Sequence, residues 1–191
     1  MKKTNLPSPQ KHAGSALVIA LVILMVMTLI GITSMNTSIL EEKMAGSMAN
    51  RNFGFQAAES ALRHGEAWIA GRTVLPDVSN DGSTGIWDIK AADPDTTNNI
   101  AWWDESTRGA SWWTSTAAPA VVPIATSSSD AEWIAGVASQ PAYVIEELPP
   151  VKESLEVGKT VDDSDIYLQV TARGVGGTAS SVVMLQTTYK W

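Results

Sequence analysis

From Ala16 to Met35 the chain reads ALVIALVILMVMTLIGITSM, twenty residues without a charge, eleven of them Leu, Ile or Val. An α-helix of about twenty apolar residues covers the ~30 Å hydrocarbon core of a bilayer, so this stretch predicts a membrane-spanning helix. The insertion energies of its branched residues outweigh the polar positions Thr28, Gly31, Thr33 and Ser34. A removable secretory signal has a shorter apolar region, of roughly 7 to 15 residues, followed by a small-residue cleavage site. A helix apolar on all sides within a soluble core would need more surrounding protein than this chain supplies.

No proline occurs between Ala13 and Leu75, so the helix is expected to continue past the apolar run. In its second half Met44, Met48, Phe55, Ala58, Leu62, Gly65 and Ile69 recur at helical spacing. Glu42, Arg51, Glu59, Arg63 and Glu66 lie mostly elsewhere. The pattern predicts an amphipathic half whose apolar stripe is the buried face of a packed helix. Gly71, Arg72 and Pro76 supply stop signals.

Beyond the helix, residues 72–140 are rich in Gly, Pro, Ser, Thr, Asn and Asp and predict loops with short strands. YVIEEL at Tyr143 to Leu148 and IYLQVTAR at Ile166 to Arg173 read as strands. GVGGTA then links the second of these to SSVVMLQTTYK, a hairpin signal. The order of a long helix, an irregular middle and antiparallel strands predicts an α+β head with the amphipathic helix against one sheet face.

Composition narrows the chemistry. The 191 residues contain no cysteine, which excludes disulfides, thiolate metal sites and cysteine nucleophiles. The two histidines, His12 and His64, are too few for a histidine-built metal site. The net charge is −7, with Lys2, Lys3 and Lys11 ahead of the apolar run and most acids beyond residue 76, a polarity that argues against nucleic-acid binding. By the positive-inside bias the first residues stay cytoplasmic and the head faces outward.

The tryptophan pairs Trp102–Trp103 and Trp112–Trp113 are expected to pin loops to a core rather than to form an exposed contact. DVSNDGSTGIWD places Asp77, Ser79, Asp81 and Asp88 at offsets one, three, five and twelve, with Gly82 at six, resembling a calcium-binding loop. Ser79 and the short Asp88 weaken that reading, and a solvated turn is the expectation. Asp162, Asp163 and Asp165 read as a solvated acidic turn.

A basic leader ending at Gly14, an uncharged helix starting at once and a polar extension of that helix together resemble a type IV prepilin. Residues 14 to about 66 are similar to PilX-type minor pilins, most specifically in LIGITSMNTS, EEKMAG and NRNFGFQAAESAL. The resemblance implies a leader at 1–14, a helix at 15–71 and a head at 72–191. It also implies cleavage by a prepilin peptidase between Gly14 and Ser15, methylation of the new Ser15 amine, and retention of the helix. This chain departs from the major-pilin pattern in having Ser15 where phenylalanine is usual and Ile19 where glutamate is usual.

The implied role is a non-enzymatic minor pilin, without cofactor, that primes pilus assembly at or near the tip and supports twitching motility and adhesion. Implied partners are other minor pilins, the major pilin, a tip adhesin, the prepilin peptidase and the inner-membrane assembly platform. The implied location is the inner membrane with the head in the periplasm, then the extracellular pilus. Two other readings stand beside it: a K-type pseudopilin of a type II secretion pseudopilus, and a membrane-anchored periplasmic enzyme using acids such as Asp104, Glu105, Glu146 and Glu147.

Overall fold

A computed structural model describes residues 13–88, 93–114, 122–149 and 166–191. Lys2, Lys3, Lys11 and His12 of the expected leader, and the acidic turn at Asp162, Asp163 and Asp165, lie outside the described residues. In chain order the elements are α1 (Ala13–Ala70), β1 (Trp87–Asp88), α2 (Ala110–Trp113), β2 (Val122–Pro123), β3 (Ala142–Glu147), β4 (Tyr167–Val175) and β5 (Val182–Lys190). The chain divides into two compact units, Met1–Ser47 and Met48–Trp191.

In the first unit, α1 is exposed from Ala16 onward. Its apolar residues find no partner among the described residues of the unit, and Thr28, Thr33 and Thr37 turn their hydroxyls back onto the carbonyls of Met25, of Leu29 and Ile30, and of Thr33. Those bonds satisfy the only hydrogen-bonding side chains between Ala16 and Thr33 without an outside partner.

The second unit is an α+β fold in which the remaining length of α1 packs on an open sheet of order β1-β3-β4-β5, with β2 also paired to β3. The pairs β2·β3, β3·β4 and β4·β5 are antiparallel. The expected antiparallel sheet is in fact mixed, because β1 runs parallel to β3 with Trp87 opposite Glu146. A two-residue strand arriving from the long loop after α1 needs no tight hairpin and can enter in either direction.

Alternation along β3 and β4 sends successive side chains to opposite faces, and both faces are buried. Tyr143, Ile145, Leu168, Val170 and Ala172 join Ala61 and Ile69 of α1 in one core. Ala142 and Val144 join Trp87, Trp102 and Trp113 in a second.

The stripe expected on α1 is corrected in part by the packing. Met48 and Phe55 are exposed, at 74% and 46%, whereas Ala57, Ala58, Ala61 and Ile69 are fully buried. Gly54 and Gly65 are buried with them. The helix lies so close to the sheet that bulk is excluded: a Cβ on Gly65 would stand 2.6 Å from Val170 Cγ1, and one on Gly174 would stand 2.3 Å from the Ala58 nitrogen. Of the expected stripe, Ala58, Gly65 and Ile69 are buried and Leu62 is half-buried, whereas Met44, Met48 and Phe55 are exposed. Hydrophobicity ranks Phe and Met above Gly and Ala, so the pattern overvalued the former and missed Gly54, Ala57 and Ala61 on the buried face.

Candidate functional site

Two regions carry functional potential, and each is built from a different use of side chains. The first is the apolar rod. Leu17, Val18, Ile19, Leu21, Leu24 and Met27 are each more than half exposed. Mean hydropathy over its most apolar window reaches 2.9, and this is the one helix among the described residues long and apolar enough to cross a membrane. An apolar surface this continuous is not tolerated in water, so lipid or other helices must cover it. Gly14 and Ser15 both fall within α1, and Ile19, five residues after Gly14, is 59% exposed.

The second region is the sheet face opposite α1. Trp87 and Trp102 stand 4.9 Å apart between ring centroids, Trp112 meets Trp102 edge-on at 6.1 Å, and Trp113 meets Trp112 edge-on at 5.2 Å. The Arg108 guanidinium lies over three of these rings, at 4.6 Å from Trp112, 5.0 Å from Trp102 and 5.2 Å from Trp87. Burial draws its pKa down, while Asp93 and Glu105 hold it up. Cation–π contacts of this kind fix a loop in place while keeping a charge at its rim.

Beneath the rings the Trp102 indole N–H donates to the carboxylate of Glu146, which is 3% exposed. Burial pushes the Glu146 carboxyl above its ordinary range, and the indole bond works against that rise. Glu105 accepts instead from the Asn98 amide, at 2.6 Å. Each of the two carboxylates is thus tied to its own neutral donor, an arrangement that anchors loops and does not form a shared acid–base pair. The expectation that the tryptophans pack agrees with this geometry: Trp87, Trp102 and Trp113 are nearly inaccessible, while Trp133 keeps 40% of its surface exposed.

The residues of the calcium-like loop are not gathered around a common point. The Asp81 carboxylate accepts from the Ser83 N–H at 3.0 Å, which holds its pKa down, and the Ser79 hydroxyl accepts from Thr84. The backbone closes the same loop, Ser79 N–H to the Ile86 carbonyl and Asp88 N–H to the Ser79 carbonyl, both at 3.0 Å. Asp77 is exposed and Asp88 sits in β1. Among the described residues no three His, Cys, Asp or Glu side chains are placed to hold a metal ion.

Sequence reasoning missed the clamp between α1 and the β4–β5 turn. Asn50 accepts from the Thr178 N–H at 3.2 Å and donates to the Thr178 hydroxyl at 2.6 Å. Gly176 lies against it, where a Cβ would stand 2.3 Å from the Asn50 carbonyl oxygen. The available signal was the glycines of GVGGTA, which mark the hairpin joining β4 to β5, and of which Gly174 and Gly176 serve close approach to α1 as well.

Two family models match the chain: PilX N-terminal over residues 13–63, and Type IV pilus assembly protein PilX C-term over residues 83–190. No curated protein and no solved structure matches it.

Proposed function

The chain belongs to the PilX family of type IV pilus minor pilins, and from that premise we propose that it acts without catalysis, priming pilus assembly at or near the filament tip. The observation that carries this reading is the apolar Ile19 within the uncharged, exposed run from Ala16 to Met35. A glutamate at that depth would need a partner such as the terminal amine of a neighbouring subunit, because a carboxylate in lipid is costly alone. An apolar residue needs none, which suits a subunit with no predecessor above it.

On this reading a prepilin peptidase cuts between Gly14 and Ser15, the Ser15 amine is methylated, and the rod stays attached to the head. Residues 1–14 are then the leader, 15–71 the assembly helix and 72–191 the head. Before assembly the rod spans the inner membrane with the head in the periplasm. On assembly it exchanges lipid for the helices of other minor pilins and the major pilin, beneath a tip adhesin. Twitching motility and adhesion follow from the filament that results.

Ile19→Glu in the chromosomal copy tests the proposal. Pili per cell should fall while the proportion of this chain along sheared shafts rises. Richer shaft incorporation with undiminished pilus number would remove the tip role. A deletion strain should lose surface pili and twitching and keep type II secretion, and loss of secretion instead would favour a pseudopilin.

A further inference from the structure

The two edges of the sheet are finished differently. On one side β3 is covered by the short strands β1 and β2. On the other, β5 ends the sheet with nine residues paired only to β4 among the described residues. From Val182 to Tyr189 it reads VVMLQTTY, with no charge and no proline. Exposed edges are normally blunted by charges, prolines, bulges or brevity, since their free main-chain groups are templates for another strand. Before Lys190, β5 carries neither a charge nor a proline.

A groove of about 480 Å³ lies beside this edge, lined by Met48, Arg51, Asn52 and Phe55 of α1 and by residues 183–185 of β5. Successive strand residues point to opposite faces, so a groove lined by three in a row wraps around the strand edge. Met48 and Phe55 offer it exposed apolar surface. Arg51 is the one charged residue in the lining, is exposed, and has no ion pair or hydrogen bond among the described residues.

We propose that the β5 edge is a docking site for an extended strand of a different protein, which adds to the sheet, sets an apolar side chain against Met48 and Phe55, and places a carboxylate against Arg51. The free main-chain groups select extended backbone, and pockets for alternate side chains select its sequence. Charge complementarity selects an acid-bearing strand over a second copy of this chain, which would bring another Arg51 and no acid from the groove lining.

The test uses the full-length chain in whole piliated cells, with p-benzoylphenylalanine at position 182, 186 or 188. Paired strands advance residue by residue, so the attachment point on one partner segment should move about four residues and then about two as the probe moves. Arg51→Glu should lower adduct yield about fivefold and Arg51→Lys should keep it, the size expected of an exposed ion pair. Attachment at one fixed partner position, attachment to this chain itself, or no adduct would overturn strand addition. An unchanged yield with Arg51→Glu would overturn the acid-bearing occupant. Presence of the chain in sheared filaments, scored separately, decides the assembly reading, because the cross-links are read in the cell whether or not it is in a filament.

Discussion

On the face of β3 and β4 turned toward α1, contact is made by leaving side chains out; on the opposite face it is made by the largest side chains available. Gly54, Ala57, Ala58, Ala61 and Gly65 bring the helix so near the strand that a Cβ on Gly174 would stand 2.2 Å from the Gly54 carbonyl oxygen. Across the sheet Trp87, Trp102 and Trp113 fill the space over Ala142 and Val144, with Arg108 over the rings and Glu146 below. Both faces exclude water, yet they fail in opposite directions. The helix face is sensitive to added atoms and the tryptophan face to lost ones.

The largest effect should come from emptying the tryptophan face. Trp102→Ala removes a buried ring and leaves the Glu146 carboxylate without its indole donor, which should cost about 3–5 kcal/mol. Denaturant unfolding of the full chain in detergent micelles measures it, and a loss below about 1 kcal/mol would mean the rings cover the sheet without supporting it.

Next, Gly174→Ala adds one methyl group to the helix face and should cost about 3 kcal/mol, because backbone on both sides must part to admit it. The same change at Gly109, where an added Cβ meets nothing within 4 Å, is the control and should be nearly neutral. Equal effects at the two sites would break the comparison.

The smallest effect sharpens the electrostatic side. Burial raises the Glu146 carboxyl above its ordinary value of 4.5, so the fold favours the protonated form more than the unfolded chain does. That contribution is whole below the ordinary value and is lost as pH rises through the raised one. Glu146→Gln keeps an acceptor for Trp102 and cannot ionise. Its melting temperature relative to the parent should therefore climb as pH is taken from 4 to 8. A difference that stays flat with pH, or that grows on acidification, would contradict burial as the dominant influence.

Much of the fold was legible because it rests on local pattern. The uncharged run from Ala16 to Met35, the absence of proline to Leu75 and the alternation in IYLQVTAR each specify their element without reference to distant residues. The motif evidence in EEKMAG and NRNFGFQAAESAL carried the family for the same reason. The candidate sites were less legible. Phe55 scores as core and lies exposed, while Gly54 beside it scores as nothing and is buried. The calcium-like spacing of Asp77, Ser79, Asp81 and Asp88 was real in sequence, but Asp81 and Ser79 spend their oxygens within the loop.

By itself, then, the sequence determined the rod, the strands and the family, since hydrophobic run length and residue period act within one segment of chain. Tertiary structure alone decided that Gly54, Ala57 and Ala61 are buried while Met48 and Phe55 are not, that β1 enters parallel, that Trp102 meets Glu146 across 44 positions, and that β5 pairs only with β4 among the described residues. Those outcomes depend on how close two backbones can approach and on which groups are left over once the others have paired, quantities that exist only between segments brought together by the fold.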